Sequence, residues 1–239
     1  MVIIFPMNAN NLFTVEYPTA AVLSRGEVQI HQTFYGNDGI LFGFTVGLID
    51  NIQAGVTYGG THIVGNQEPD WNKIPGVNVK FRIINETLTF PAIALGIDTQ
   101  GRGKYYRDIN RYDIKSHGVY AVASKNFSLY GLLGFDFGMN YTFEWEEDEN
   151  KTVDFFAGTY KTLGDIVTIY LDYSLGLNDR LNDEEVDIER RNRGFLNSAI
   201  QVRLSDQLSI KLLLHDLMLK RKDAELFDRS ILVDYRWFF

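Results

Sequence analysis

The chain has 239 residues, 23 Lys and Arg against 31 Asp and Glu, and a formal net charge of −8, with 45% hydrophobic and 14% aromatic side chains. That acidic balance, with no basic face in the sequence, excludes a general affinity for nucleic acid, and the absence of cysteine excludes disulfides and thiolate metal sites. No stretch approaches the roughly 20 apolar residues of a membrane-spanning helix.

Residues 1–26 show no clear alternation. The opening, MVIIFPMNANN, has no basic leader-like start and only a short apolar run before Pro6, so it is not a recognisable export signal. An exported protein would require a leader already removed. A periplasmic tail, a plug in a barrel lumen and an extra strand all remain open for this segment.

From residue 27 onward, period-two patterning with turn residues between segments predicts twelve strands. Their spans are 27–35, 39–48, 52–58, 76–84, 88–98, 117–124, 129–142, 153–161, 165–175, 194–204, 208–216 and 230–239. Most match the roughly 9 to 11 residues of a tilted membrane-spanning strand, longer than the 5 to 6 typical of globular sheets. Residues 27–239 therefore read as one barrel domain.

The connectors sort by length. After the even-numbered strands they are three or four residues, whereas after the odd-numbered ones, the first hairpin excepted, they run from 10 to 18. Short turns at one rim and long polar loops at the other predict a transmembrane antiparallel up-and-down β-barrel, turns periplasmic and loops extracellular. Pro91 resists inclusion in a closed ladder because it lacks an N–H; the strand begins at Ala92 or contains a bulge.

The faces agree with that reading. In LYGLLGFDFGMNYT (129–142), Leu133, Phe135, Phe137 and Met139 share one side, and Gly134, Asp136, Gly138 and Asn140 the other. Glu27, His31, Lys80, Arg82, Asp136, Asp172, Arg203, Lys211, Asp234 and Arg236 all fall on the polar parity of their strands, where they would line a lumen. A Lys or Arg on the lipid side would cost about 2 to 4 kcal/mol at mid-bilayer. These charges would either carry water and small solutes or pair off and close the pore.

The last strand, ILVDYRWFF, sets Tyr235, Trp237 and Phe239 on one face. This ending resembles the C-terminal signature by which bacterial assembly machinery recognises outer-membrane barrels. Its aromatic side chains would sit in the interfacial girdle. A second resemblance rests on FPAIALGIDTQGRGKYY (90–106) and YAVASKNF (120–127), which look like the YjbH-type outer-membrane barrels associated with exopolysaccharide production. In that family an Ala/Ser-Lys turn follows a glycine-containing loop. The resemblance implies a role in polysaccharide export or attachment, with no catalytic residues to carry over.

The long loops hold Trp71, Tyr105, Tyr106, Tyr112 and Trp145, whose rings would either stack on sugars or anchor at the interface. Arg102, Lys104, Arg107 and Arg111 would meet lipopolysaccharide phosphates. The acidic run EWEEDENK (144–151) lacks the oxygen spacing and central glycine of a calcium loop. No cofactor or metal is expected.

No catalytic residue is expected either. Ser116 and His117 are strand neighbours and point to opposite faces, and Ser198 has no histidine at an informative spacing. The expected function is passive transport or surface-polysaccharide biology in a bacterial outer membrane, with outer-membrane lipid, lipopolysaccharide and assembly machinery as partners. Two alternatives are a barrel-wall hydrolase, with a Ser and a His in reach on the outer face, and a soluble lipocalin-like barrel with an apolar interior.

Overall fold

The structure is a computed structural model describing residues 11–144, 151–179, 182–183, 188–222 and 224–239. Twelve long strands form the wall: β1 (Glu27–Tyr35), β2 (Gly39–Ile49), β3 (Ile52–Thr61), β4 (Gly76–Ile84), β5 (Ala92–Asp98), β6 (Gly118–Ser128), β7 (Leu132–Tyr141), β8 (Asp154–Leu163), β9 (Val167–Ser174), β10 (Phe195–Arg203), β11 (Leu208–His215) and β12 (Asp228–Phe238). Each is antiparallel to its sequence neighbour, and β1 pairs with β12 from Glu27 opposite Phe238 to Phe34 opposite Ile231. The sheet closes on itself as an all-β, twelve-stranded barrel. Closure leaves no unpaired edge, which alone satisfies a barrel's backbone donors and acceptors in an apolar surround.

Every predicted strand is present, and the largest boundary shifts have local causes. The fifth strand begins at Ala92, after a turn in which the Phe90 N–H donates to the Thr87 hydroxyl. The missing N–H of Pro91 thus falls outside the ladder, and a register shift between Arg82 and Ile84 absorbs the mismatch on β4. Lys125 to Ser128, expected as a turn, belong to β6; the turn is Leu129 to Gly131, with Tyr130 and Gly131 at positive φ. The Ser124-Lys125 pair that carried the family resemblance lies within a strand. At the first hairpin Asn37 and Asp38 both take positive φ (57° and 52°), as tight connections between twisted strands require.

Side chains split by face. On β7, Phe135, Phe137 and Met139 are exposed on the outside while Asp136 and Asn140 are buried within. The same alternation gives exposed Leu171 against buried Asp172, and exposed Ile210 and Leu212 against buried Lys211. Each such side chain left in water forgoes about 1.5 to 3 kcal/mol of burial. Repeated around twelve strands, this outer face far exceeds the apolar patch a soluble monomer presents.

The interior is more apolar than the small-or-polar pattern of the seventh strand implied. Tyr120, Phe156, Tyr160 and Tyr170 point inward and are buried in two clusters with Tyr17 and Val15 of the N-terminal segment. Inward glycines make the space: a Cβ on Gly138 would sit 2.2 Å from the Phe156 ring, and one on Gly134 equally close to Tyr160.

Candidate functional site in the barrel lumen

Residues 11–24 enter the barrel at the short-turn rim and fold into a hairpin inside it. The Thr19 N–H donates to the Leu12 carbonyl and the Thr14 N–H to the Tyr17 carbonyl, so the tip is Thr14 to Tyr17. At its base, Asn11 accepts from the Tyr170 hydroxyl at 2.8 Å. The returning arm is tied by the Ala20 N–H to the Ser124 hydroxyl and by the Leu23 N–H to Gln53.

Three charges from the wall hold this hairpin. Asp172 turns Oδ2 onto the tip and accepts from the Thr14 hydroxyl (2.8 Å) and from the N–H groups of Val15 (2.8 Å), Glu16 (2.9 Å) and Tyr17 (3.4 Å). Its Oδ1 accepts from Asn197 Nδ2 at 2.8 Å, which orients the carboxylate. Lys80 Nζ donates to the Leu12 and Ala21 carbonyls, both at 3.0 Å. Lys211 Nζ donates to the Thr14 carbonyl at 2.9 Å while lying 3.9 Å over the Tyr170 ring. A Cβ on Gly158 would sit 2.7 Å from the Thr14 side chain, so glycine there permits the close seat. Tyr17 stacks on Phe156 with ring centroids 4.7 Å apart.

Above the tip, the long loops are joined by an alternating chain of charges. Glu16 meets Arg102 (3.0 Å), Arg102 meets Asp228 (3.1 Å), and Asp228 meets Arg221 (2.7 Å). Arg221 continues to Asp113 (2.9 Å), Asp113 to Arg190 (3.0 Å), Arg190 to Asp179 (3.3 Å) and Asp179 to Arg111 (2.9 Å). Four acids and four arginines from the hairpin, three loops and the first residue of β12 thereby neutralise one another. Burial opposes ionisation of Glu16, but the charges of His215 and Arg102 hold its carboxyl down at about 2. Asp113 is likewise lowered: burial works against it, and Arg190 and Arg221 overcome that. Glu144 adds a further tie, accepting the Tyr112 and Ser116 N–H groups at 2.8 Å each.

The hairpin divides the interior. On the loop side is a cavity of about 210 Å³ bordered by Glu16, His31, Arg102, His117, His215 and Ser230, among others. On the turn side is a pocket of about 80 Å³ that includes Asn11, Tyr170, Arg203 and Arg236.

No protein family and no curated protein matches the sequence. Among solved structures the chain is similar to a KdgM porin (TM-score 0.49, 6% identity, covering 89% of this chain and 99% of that one) and to a NanC porin (0.48, 9%, 89% and 99%). It is similar also to the outer membrane protein Omp33 of Acinetobacter baumannii (0.48, 8%, 89% and 97%).

The residues expected to line a lumen occupy several settings. Lys80, Asp172 and Lys211 grip the hairpin, as described. Asp136 accepts from the Ser124 hydroxyl, Asp234 accepts from Gln29 Nε2 at 2.8 Å and pairs with Arg236 at 3.1 Å, and Glu27 accepts from the Ser24 N–H at 3.0 Å. His31 borders the larger cavity. Arg82 lies at the turn rim, donating to the Asp50 carbonyl at 3.0 Å, and Arg203 is exposed at the same rim.

The loop residues also differ from one another. Trp71 is 44% exposed and stacks on Tyr58 at 5.7 Å, whereas Tyr112 is only 4% exposed, with its ring edge-on to Tyr105 at 4.9 Å. Tyr112 is therefore a packing residue of the loop hairpin formed by Arg102–Tyr106 and Arg111–Ile114, and no sugar reaches its face. Tyr106 lies beneath Lys104 Nζ at 5.4 Å. Arg102 and Arg111, expected at lipid phosphates, are taken up by the ion-pair chain. Arg107 donates to the Trp71 carbonyl at 2.9 Å. Trp145 and the acidic run 145–150 lie outside the described residues. Tyr235 faces outward against Trp237 at 5.5 Å, and Phe239 is 84% exposed just past β12.

Sequence reasoning missed Glu16 and Ser230, and found no partner for His215, one of the four histidines it weighed. His215 Nε2 lies 3.1 Å from the Ser230 hydroxyl, and Glu16 abuts Nδ1 of the same ring. The register of β11 against β12, Leu213 opposite Ser230, makes His215 and Ser230 diagonal neighbours on the inner face. That adjacency is readable only once the pairing is known.

Proposed function

We propose that this chain spans a bacterial outer membrane, turns toward the periplasm and loops outward, and serves the passive passage of small polar solutes through a lumen restricted by its own N-terminal hairpin. The observation carrying this reading is the reversal of faces: bulky apolar side chains look outward on every side while charges look inward. The same reversal speaks against a soluble lipocalin-like barrel, whose apolar groups would line the interior. Lipopolysaccharide would meet the outer aromatics and Arg107, and Tyr235, the half-buried Trp237 and the exposed Phe239 would serve recognition by assembly machinery.

The size of the interior favours small solutes over a polymer. With the hairpin seated, a cavity of about 210 Å³ has no room for a threaded polysaccharide. Any part in surface-polysaccharide biology is therefore assigned to the outer loops rather than to export through the pore.

The test is conductance in planar bilayers and sugar uptake into liposomes, comparing the full chain with one whose residues 11–24 are replaced by a Gly/Ser linker. The full chain should give low or intermittent current and the replaced chain a larger, sustained one. Equal currents would refute the hairpin's part, and no current from either would refute transport.

A further inference from the structure

We propose that the loop-side cavity is also a catalytic site, a serine esterase centre formed by Ser230, His215 and Glu16. The geometry has the polarity such a centre requires. The Ser230 hydroxyl lies 3.1 Å from His215 Nε2, and the Glu16 carboxylate abuts the other ring nitrogen, Nδ1. A carboxylate beside Nδ1 stabilises the imidazolium that forms when Nε2 takes the serine proton. All three side chains border the same cavity, so the dyad faces space a substrate can occupy. Ser230 and His215 are 3% and 2% exposed. At such buried side chains, electrostatic stabilisation of developing charge is worth more than at a fully solvated surface.

The reaction class follows from these groups. The Ser230 oxygen attacks the carbonyl carbon of an ester while its proton passes to His215 Nε2. The tetrahedral intermediate places negative charge on the carbonyl oxygen, in a cavity bordered by Arg102, whose guanidinium is held by Glu16 at 3.0 Å and Asp228 at 3.1 Å. Collapse breaks the bond to the alcohol oxygen, which leaves with the proton from His215. Water, deprotonated by His215, then attacks the acyl-serine and releases the carboxylic acid and the free hydroxyl. No oxidant, metal or cofactor is needed. The cavity is smaller than the roughly 300 to 1,000 Å³ of drug-sized ligand pockets, so the substrate class is a small polar ester with a short acyl group.

One member of this centre comes from the hairpin. Glu16 reaches His215 only while the tip is seated on Asp172, so the centre is complete in the restricted state of the lumen and lacks its acid when the hairpin withdraws. This coupling rests on the lumenal placement of the hairpin; the chemistry itself does not depend on the chain conducting anything.

The experiment uses the full chain folded in detergent. Hydrolysis of p-nitrophenyl acetate is followed together with covalent modification by methanesulfonyl fluoride, a reagent small enough for the cavity, mapped by mass spectrometry. Barrel closure is checked for each variant by heat-modifiable gel mobility. The expected result is modification at Ser230 and turnover that Ser230→Ala abolishes. His215→Asn should lower turnover at least about 100-fold, the usual worth of a positioned general base. Glu16→Gln should lower it less and alter its pH profile, which a purely structural tie would not do. A folded wild-type chain that neither reacts at Ser230 nor exceeds the Ser230→Ala rate would overturn the proposal. Loss of esterase activity with unchanged conductance would separate its failure from that of the transport reading.

Discussion

Replacing Asp172 by asparagine should release the hairpin without opening the wall. The carboxylate accepts three short bonds from the tip, from the Thr14 hydroxyl and the Val15 and Glu16 N–H groups, at 2.8 to 2.9 Å. Bonds to a charged acceptor are worth about 1.5 to 3 kcal/mol each and neutral ones about 0.5 to 1.5, so removing the charge costs about 1 kcal/mol per bond. The total is about 3 kcal/mol, which lowers the ratio of seated to withdrawn hairpin by roughly 100-fold at 1.4 kcal/mol per decade. The backbone ladder of Asp172 with Gly158 and Asn197 is untouched, so the barrel should remain closed. Amide hydrogen exchange of residues 15–17 in detergent micelles is the direct assay. Protection there should fall by about the same factor while that of β8, β9 and β10 holds. Exchange at those three amides unchanged within threefold would refute the view that Asp172 clamps the tip.

Acidification should loosen the hairpin in a defined window. Glu16 is held at about 2 in the folded chain against an ordinary 4.5; a depressed carboxyl contributes stability that is full above its unfolded value and is lost as pH falls toward the folded one. Protection of the tip should therefore decline between about pH 4.5 and 2, and Glu16→Gln should flatten that dependence; a slope unaltered by the substitution would refute it. Phe137→Arg puts a guanidinium on the outer face of β7, where Phe137 is 62% exposed. It should cost about 2 to 4 kcal/mol in urea titrations of the vesicle-inserted protein, falling toward zero if that face meets water. Asp179→Asn strips the shared partner from Arg111 and Arg190, both buried. Breaking a buried pair costs about 3 to 5 kcal/mol, which should appear as faster proteolysis in the 175–194 loop with the wall intact. Cleavage no faster than in the wild type would refute the bracing role.

The wall was legible in the sequence because the apolar outer face must repeat every second residue on every strand. Val77, Val79 and Phe81 against Lys80, or Phe135 and Phe137 against Asp136, determine both strand and face. Turn positions were less legible: Lys125 to Phe127 look like a polar connector, yet they end β6, where Lys125 and Asn126 find their partner in Glu86 of the β4–β5 turn. Inward aromatics such as Tyr120 and Phe156 could be interpreted only together with the hairpin that covers them. The hairpin itself carries no repeat because it satisfies its backbone through wall side chains rather than a ladder. The loop charges looked like a solvated, lipid-seeking surface. Arg102, Arg111 and Asp113 are instead matched to partners about 65 to 125 residues away, at distances no local pattern reports.

The Phe239 N–H donates to the Gly26 carbonyl at 3.1 Å, so the first and last strands begin and end at the same rim. Polypeptide attached at either extremity therefore leaves the barrel at one and the same rim and never has to pass through the lumen. The hairpin is leashed to that rim through Ser24, so it can be drawn out only through that end of the barrel. Any factor that pulls on it must work from there, whatever solutes or sugars gather at the opposite mouth.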